Sequence, residues 1–137
     1  MMAQEGMQIF RWDQPGYQPL IFSHDWQVAL LNDEPVFKLE NLGEIERHIL
    51  TDEVFVLLKG KAMIFTISVA GMLQIEEMIP NTLYNVLKGS WHNLISTPDA
   101  TWIIIENRDT HLFDTEVRQL NETENAAIMA AVPSWAK

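Results

Sequence analysis

Between about Pro19 and Asn107 the chain is a succession of short runs rich in β-branched and aromatic residues, each stopped by a turn signal, with no helical period between them. That rhythm limits the fold to a sandwich or a barrel of β-sheet. Candidate strands are Leu20–Ser23, Gln27–Asn32, Val36–Asn41, Ile45–Leu50 and Val54–Leu58, followed by Ala62–Val69, Met72–Met78, Leu83–Leu87, His92–Ser96 and Thr101–Glu106. The stops are Asn32-Asp33-Glu34-Pro35, Lys59-Gly60-Lys61, Ala70-Gly71, Pro80-Asn81, Lys88-Gly89-Ser90 and Pro98-Asp99, all built from residues that tolerate turn geometry.

With 137 residues, 47% of them hydrophobic, the chain has material for one core, and we expect a single domain with its barrel between about residues 36 and 107. Beyond Asn107 the pattern changes. Asn121 or Thr123 can cap a helix whose first turn carries Glu122 and Glu124, favourable against the macrodipole, and Pro133 stops it. This helical tail, about 121–132, is expected to pack on the sheet or at a dimer contact. No repeat or low-complexity linker interrupts the chain.

Composition removes several kinds of chemistry. No cysteine is present, so disulfides, thiol nucleophiles and thiolate metal sites are excluded and any metal falls to imidazole and carboxylate. The formal net charge of -10 and the scattered basic residues argue against nucleic acid as a partner. No run of about 18 uncharged apolar residues occurs. Met1-Met2-Ala3-Gln4-Glu5 lacks the basic-then-apolar order of an export signal, so we expect a soluble, cytoplasmic protein without membrane contact.

The informative stretch is Glu46-Arg47-His48 followed by Glu53 at the head of the next apolar run. On a strand, residues two apart share a face, so Glu46 and His48 point one way while Arg47 and Ile49 point the other. Phe55 and Leu57 share the face of Glu53. If that face lines the interior, two carboxylates and an imidazole sit among apolar neighbours, a costly arrangement that a divalent cation would offset. His92, entering a strand after Gly89-Ser90-Trp91, adds a second imidazole on the face of Leu94 and Ser96. Such a donor set suits manganese, iron, nickel or zinc. Trp91 has the opposite parity and is expected to face outward, and Arg47 and Arg108 are read as exterior or rim residues. His24 and His111 have no matching spacing and receive no role.

Here the chain resembles the cupin family. His48, Glu53 and Gly60 stand at the spacing of the first cupin signature, with Glu46 where the family has its first histidine, and Gly89 and His92 match the second. Asn81 replaces a turn glycine there, and asparagine is the next most tolerant residue at positive φ. The resemblance implies an all-β double-stranded β-helix, a jelly-roll barrel, here with a short C-terminal helix. It also implies a divalent metal held by Glu46, His48, Glu53 and His92 inside the barrel, with Phe55, Leu57 and Leu94 as candidate substrate-contacting residues. Together with the outward parity of Trp91 and the apolar segment Leu20 to Leu31, it further suggests a homodimer. Two functions follow: a metal-dependent isomerase, dioxygenase or lyase acting on a small polar or carbohydrate-like molecule, or a non-catalytic cupin that binds or senses a small-molecule ligand.

Overall fold

The computed structural model describes residues 6–137, and Met1 to Glu5, on which the expected lack of an export signal rests, lie outside the described residues. The strands are β1 (Gly16–Ser23), β2 (Trp26–Asn32), β3 (Glu44–Arg47), β4 (Glu53–Lys59), β5 (Ala62–Ile67), β6 (Leu73–Glu77), β7 (Tyr84–Val86), β8 (Trp91–Ser96), β9 (Thr101–Asn107) and β10 (Glu116–Gln119). They form two antiparallel five-stranded sheets, ordered β1-β2-β9-β4-β7 and β10-β3-β8-β5-β6, which makes the sandwich that the spacing of the runs anticipated and the jelly-roll that the resemblance implied. Among the described residues no helix is long and apolar enough to cross a membrane.

Alternation along each strand divides the apolar residues into two cores. Ala29, Leu31, Phe55, Leu57, Ile64, Leu94, Trp102 and Ile104 meet between the sheets. Met63, Phe65 and Ile67 of β5 point the other way and join Ile45 and Ile95 beneath α2 (Glu122–Ala131), which contributes Ile128, with Val132 following it. The more apolar face of β5 is therefore the outer one, because the C-terminal helix covers it. Asn121 caps that helix in a full capping box: its side chain accepts from Glu124 N, and the Glu124 carboxylate accepts from Asn121 N. The packing helix expected at about 121–132 is thus in place.

Several features depart from the sequence reading. Val36–Asn41 is not a strand but two 3-10 turns, Pro35–Phe37 and Leu39–Asn41. Pro35 fixes φ at the first position and its carbonyl accepts from Lys38 N, closing a turn where a ladder would need a donor. β10 has too few residues and too much charge to show an alternation, yet it pairs with β3, Arg118 opposite Ile45. The sheets also extend beyond residues 36–107, since β1 and β2 supply an edge of the first sheet and β10 an edge of the second.

The turns behave as their residues require. Asn81 takes φ 63°, the left-handed conformation in which asparagine stands in for glycine. Gly60, with φ 81°, has no room for a side chain, because a Cβ there would meet the Ala100 backbone at 2.7 Å. His24 occupies the tight β1–β2 turn at φ 52°, exposed, in agreement with a surface role.

Candidate functional site

β3 and β8 lie side by side with Glu46 opposite His92, so both side chains enter the space between the sheets. His48, one residue past the end of β3, keeps the parity of Glu46. Arg47 between them points outward. Its guanidinium lies 4.5 Å from the centre of the Trp91 ring and its Nε donates to Glu116 at 2.7 Å, while Arg118 approaches the same ring at 4.9 Å. Trp91 faces outward as its parity demands, but this chain's own arginines cover it. Arg108 is likewise exterior, over Phe22.

Glu53 comes from the other sheet, at the first position of β4. Its Oε1 lies 3.1 Å from His48 Nε2 and 2.9 Å from His92 Nε2. Glu46 Oε1 stands 4.0 Å from His48 Nε2 and 3.7 Å from His92 Nε2, on a side chain half exposed at the mouth. One donor atom from each of Glu46, His48, Glu53 and His92 lies within 4.8 Å of every other. The four residues singled out from spacing therefore converge on one point.

The imidazoles are held in the orientation a metal ligand needs. His48 Nδ1 lies 2.7 Å from the Asp114 carbonyl, and His92 Nδ1 lies 3.3 Å from the Ser90 carbonyl. A carbonyl only accepts, so each Nδ1 carries the proton and each Nε2 presents a lone pair to the cluster when the ring is neutral. Asp114 also fixes the approach of the chain, its carboxylate accepting from Ile49 N and Leu50 N. Those two bonds draw Ile49 and Leu50 off the strand that the sequence suggested. His92 Nε2 is buried and, despite its closeness to Glu53, lacks hydrogen-bond geometry to any partner among the described residues. Such an orphaned buried nitrogen is rare, and a cation is a partner it accepts.

Electrostatics points the same way. Burial alone would raise the Glu53 carboxyl, but the hydrogen bond from His48 and the charges of both imidazoles outweigh it and hold Glu53 well below the usual carboxylate range. Burial would lower His48, yet the hydrogen bond and charge of Glu53 push it up to about 9. His92 is raised by the nearby negative charge of Glu53 and Glu46 against the same opposition. In the metal-free protein the charge of Glu53 is thus answered by protons on the imidazoles. A divalent ion would take over that task.

The cluster forms one wall of a cavity of about 490 Å³. Of the three apolar residues singled out beside the cluster, Phe55 and Leu94 line it. Leu57 does not: it is paired with Trp102 deeper between the sheets and is 1% exposed, packed in the core.

Other lining residues were missed. Glu106 on β9 is buried, its Oε2 3.8 Å from His48 Nε2, and Tyr17 Oη donates to its Oε1 at 2.5 Å. Burial first, and then the charge of Glu53, push the Glu106 carboxyl up to about 8. Burial and the same Glu106 contact hold the Tyr17 hydroxyl far above its ordinary range. Parity held the signal for Glu106, which shares the face of Trp102 and Ile104. His111 reaches the rim, its ring 5.5 Å from Tyr17 centre to centre. No sequence signal marked Tyr17 or His111, since Tyr17 precedes the expected first strand and α1 (Thr110–Phe113) was not anticipated.

No protein-family model matches the chain, and no curated protein matches it in sequence. Solved structures do match. Protein BH2720 from Bacillus halodurans is 18% identical with a TM-score of 0.58, over 87% of this chain and 86% of that one. A cupin-2 domain containing protein from Shewanella frigidimarina NCIMB 400 is 22% identical with a TM-score of 0.51, over 71% and 85%. The capsular polysaccharide assembling protein CapF from Staphylococcus aureus is 17% identical with a TM-score of 0.57, over 80% of this chain and 31% of CapF. At such identities the likeness is one of fold, and the fold is that of the cupins.

Proposed function

We propose that the protein is a metal-dependent enzyme in which His48, Glu53, His92 and Glu46 hold a divalent ion that acts on a small polar molecule in the adjoining cavity. The observation that carries this reading is the orphaned Nε2 of His92, buried within reach of three further donors, with both imidazole rings already held through Nδ1. Two imidazoles and two carboxylates suit manganese, iron, nickel or zinc, and when bound such an ion supplies Lewis acidity toward a substrate oxygen. The protein's part is to shape the apolar wall of Phe55, Leu94 and Ile104 and to keep both Nε2 atoms facing inward.

The test is metal content in protein purified without a histidine tag, repeated for His48→Ala and His92→Ala. One ion per chain is expected in the native protein, with affinity at least about tenfold weaker in each variant. Saturating metal should also raise the melting temperature, because it binds the folded state. A protein that retains no ion and gains no thermal stability from manganese, iron, nickel or zinc would end this reading.

A further inference from the structure

Opposite the imidazoles, the cavity carries a polar row with a different chemistry. Gln27 on β2 faces Glu106 on β9 across their register, and Tyr17 of β1 reaches over both. Glu106 Oε1 accepts from Tyr17 Oη at 2.5 Å and from Gln27 Nε2 at 3.4 Å. Gln27 is itself fixed: its Nε2 lies 2.9 Å from Tyr17 Oη and 3.2 Å from His111 Nδ1, and its Oε1 accepts from Asp109 N at 2.9 Å. One oxygen of the carboxylate is thereby clamped by the protein.

The other oxygen is not. Glu106 is 5% exposed, and its Oε2 has no hydrogen-bond partner among the described residues. His48 Nε2, at 3.8 Å, is beyond hydrogen-bonding reach. Glu106 also stands outside the four-residue donor group, so a metal held there does not satisfy it directly. A buried carboxylate oxygen left in this way calls for a donor.

Charge decides what kind. Glu34, Glu44, Glu46, Glu53 and Glu106 all line the cavity, and among the described residues no lysine or arginine does. A divalent ion offsets two of these carboxylates and leaves the surroundings of Glu106 repelling anions. A neutral alcohol can donate to Oε2 but brings no charge. An ammonium group brings both, and the Tyr17 and Phe55 rings in the wall favour the carbons beside a cation. We infer that the cavity selects a small primary amine, its ammonium group donating to Glu106 Oε2 and its carbon chain lying against the apolar wall. This names a substrate class for the site proposed above and rests on the reading of that cavity as the functional one.

Three probes of one size separate the alternatives: n-butylamine, n-butanol and butyrate, titrated calorimetrically into manganese-loaded and metal-free protein at about pH 8.5, above the value of about 8 to which Glu106 is raised, so that its carboxylate is ionised while the amine is still an ammonium ion. Butylamine should bind at least about tenfold more tightly than butanol, and butyrate more weakly than either. Glu106→Gln keeps the shape and an acceptor for Tyr17, and should cost butylamine at least about tenfold while leaving butanol unchanged. Butyrate binding as tightly as butylamine in manganese-loaded wild type would overturn the inference, and that comparison needs no variant. So would an amine affinity untouched in a folded Glu106→Gln protein. If the chain retains no metal yet metal-free protein prefers the amine, the metal reading falls and amine selection stands. Stoichiometric metal without amine preference leaves the metal site intact and ends the amine inference.

Discussion

The two ends of the space between the sheets are built from the same strands and do opposite things. β4 presents Leu57 at one end and Glu53 at the other on a single face, and β9 presents Trp102 and then Glu106. At the closed end Leu57 faces Trp102, Phe37 lies edge-on to the indole at 5.7 Å, and the indole N–H meets the Met78 sulfur at 3.4 Å. Among the described residues no buried side-chain nitrogen or oxygen at that end lacks a partner. At the open end Glu53, Glu106, His48 and His92 are just as buried, yet Glu106 Oε2 and His92 Nε2 have no hydrogen-bond partner among the described residues. One end stabilises the sandwich, and the other holds charges that only a cation and a ligand can complete.

The most severe way to break this division is Trp102→Ala. Removing a fully buried indole should cost about 3–5 kcal/mol in urea unfolding, through lost burial and the cavity left behind. A loss below about 1 kcal/mol would mean that the closed end does not hold the sheets together.

A smaller effect is expected from pH and sharpens the picture of the open end. His48 is raised from 6.5 to about 9, so in metal-free protein its contribution is fully present below pH 6.5 and is lost as pH rises through 9. Glu106, raised from 4.5 to about 8, acts in the same direction, because ionising it in the folded chain is opposed. Stability measured by urea unfolding should therefore decline between pH 6.5 and 9, and saturating zinc should flatten the decline. A flat or rising profile without metal would remove the charged pairing of His48 with Glu53.

The smallest expected change lies outside both ends. Asn121→Ala removes the cap of α2 and should cost about 1 kcal/mol while leaving metal affinity where it was. A matching loss of metal affinity would show that the outer core beneath α2 and the open end are coupled.

Much of this was legible along the chain, for reasons that can be named. The period of two put Glu46 and His48 on one side of the sheet and Arg47 and Trp91 on the other. Asn81 and Gly60 marked turns because few residues tolerate positive φ. Pro35 misled, because Val36-Phe37 has the composition of a strand while proline's missing N–H favours a turn. The apolar alternation of β5 was visible, but its direction was not: an apolar face looks the same whether the opposite sheet or a C-terminal helix covers it.

What the sequence by itself determined is local: the alternation of faces, the positions of the turns, the capped helix, and the four donors whose spacing matched a known pattern. Tertiary structure alone decided that Tyr17 and Glu106, 89 residues apart, would share a hydrogen bond, and that Glu106 would join the wall holding Glu53. The physical reason is range. Backbone geometry fixes where a side chain points within two residues, whereas what it meets depends on which distant strand pairs beside it, and no single segment encodes that choice.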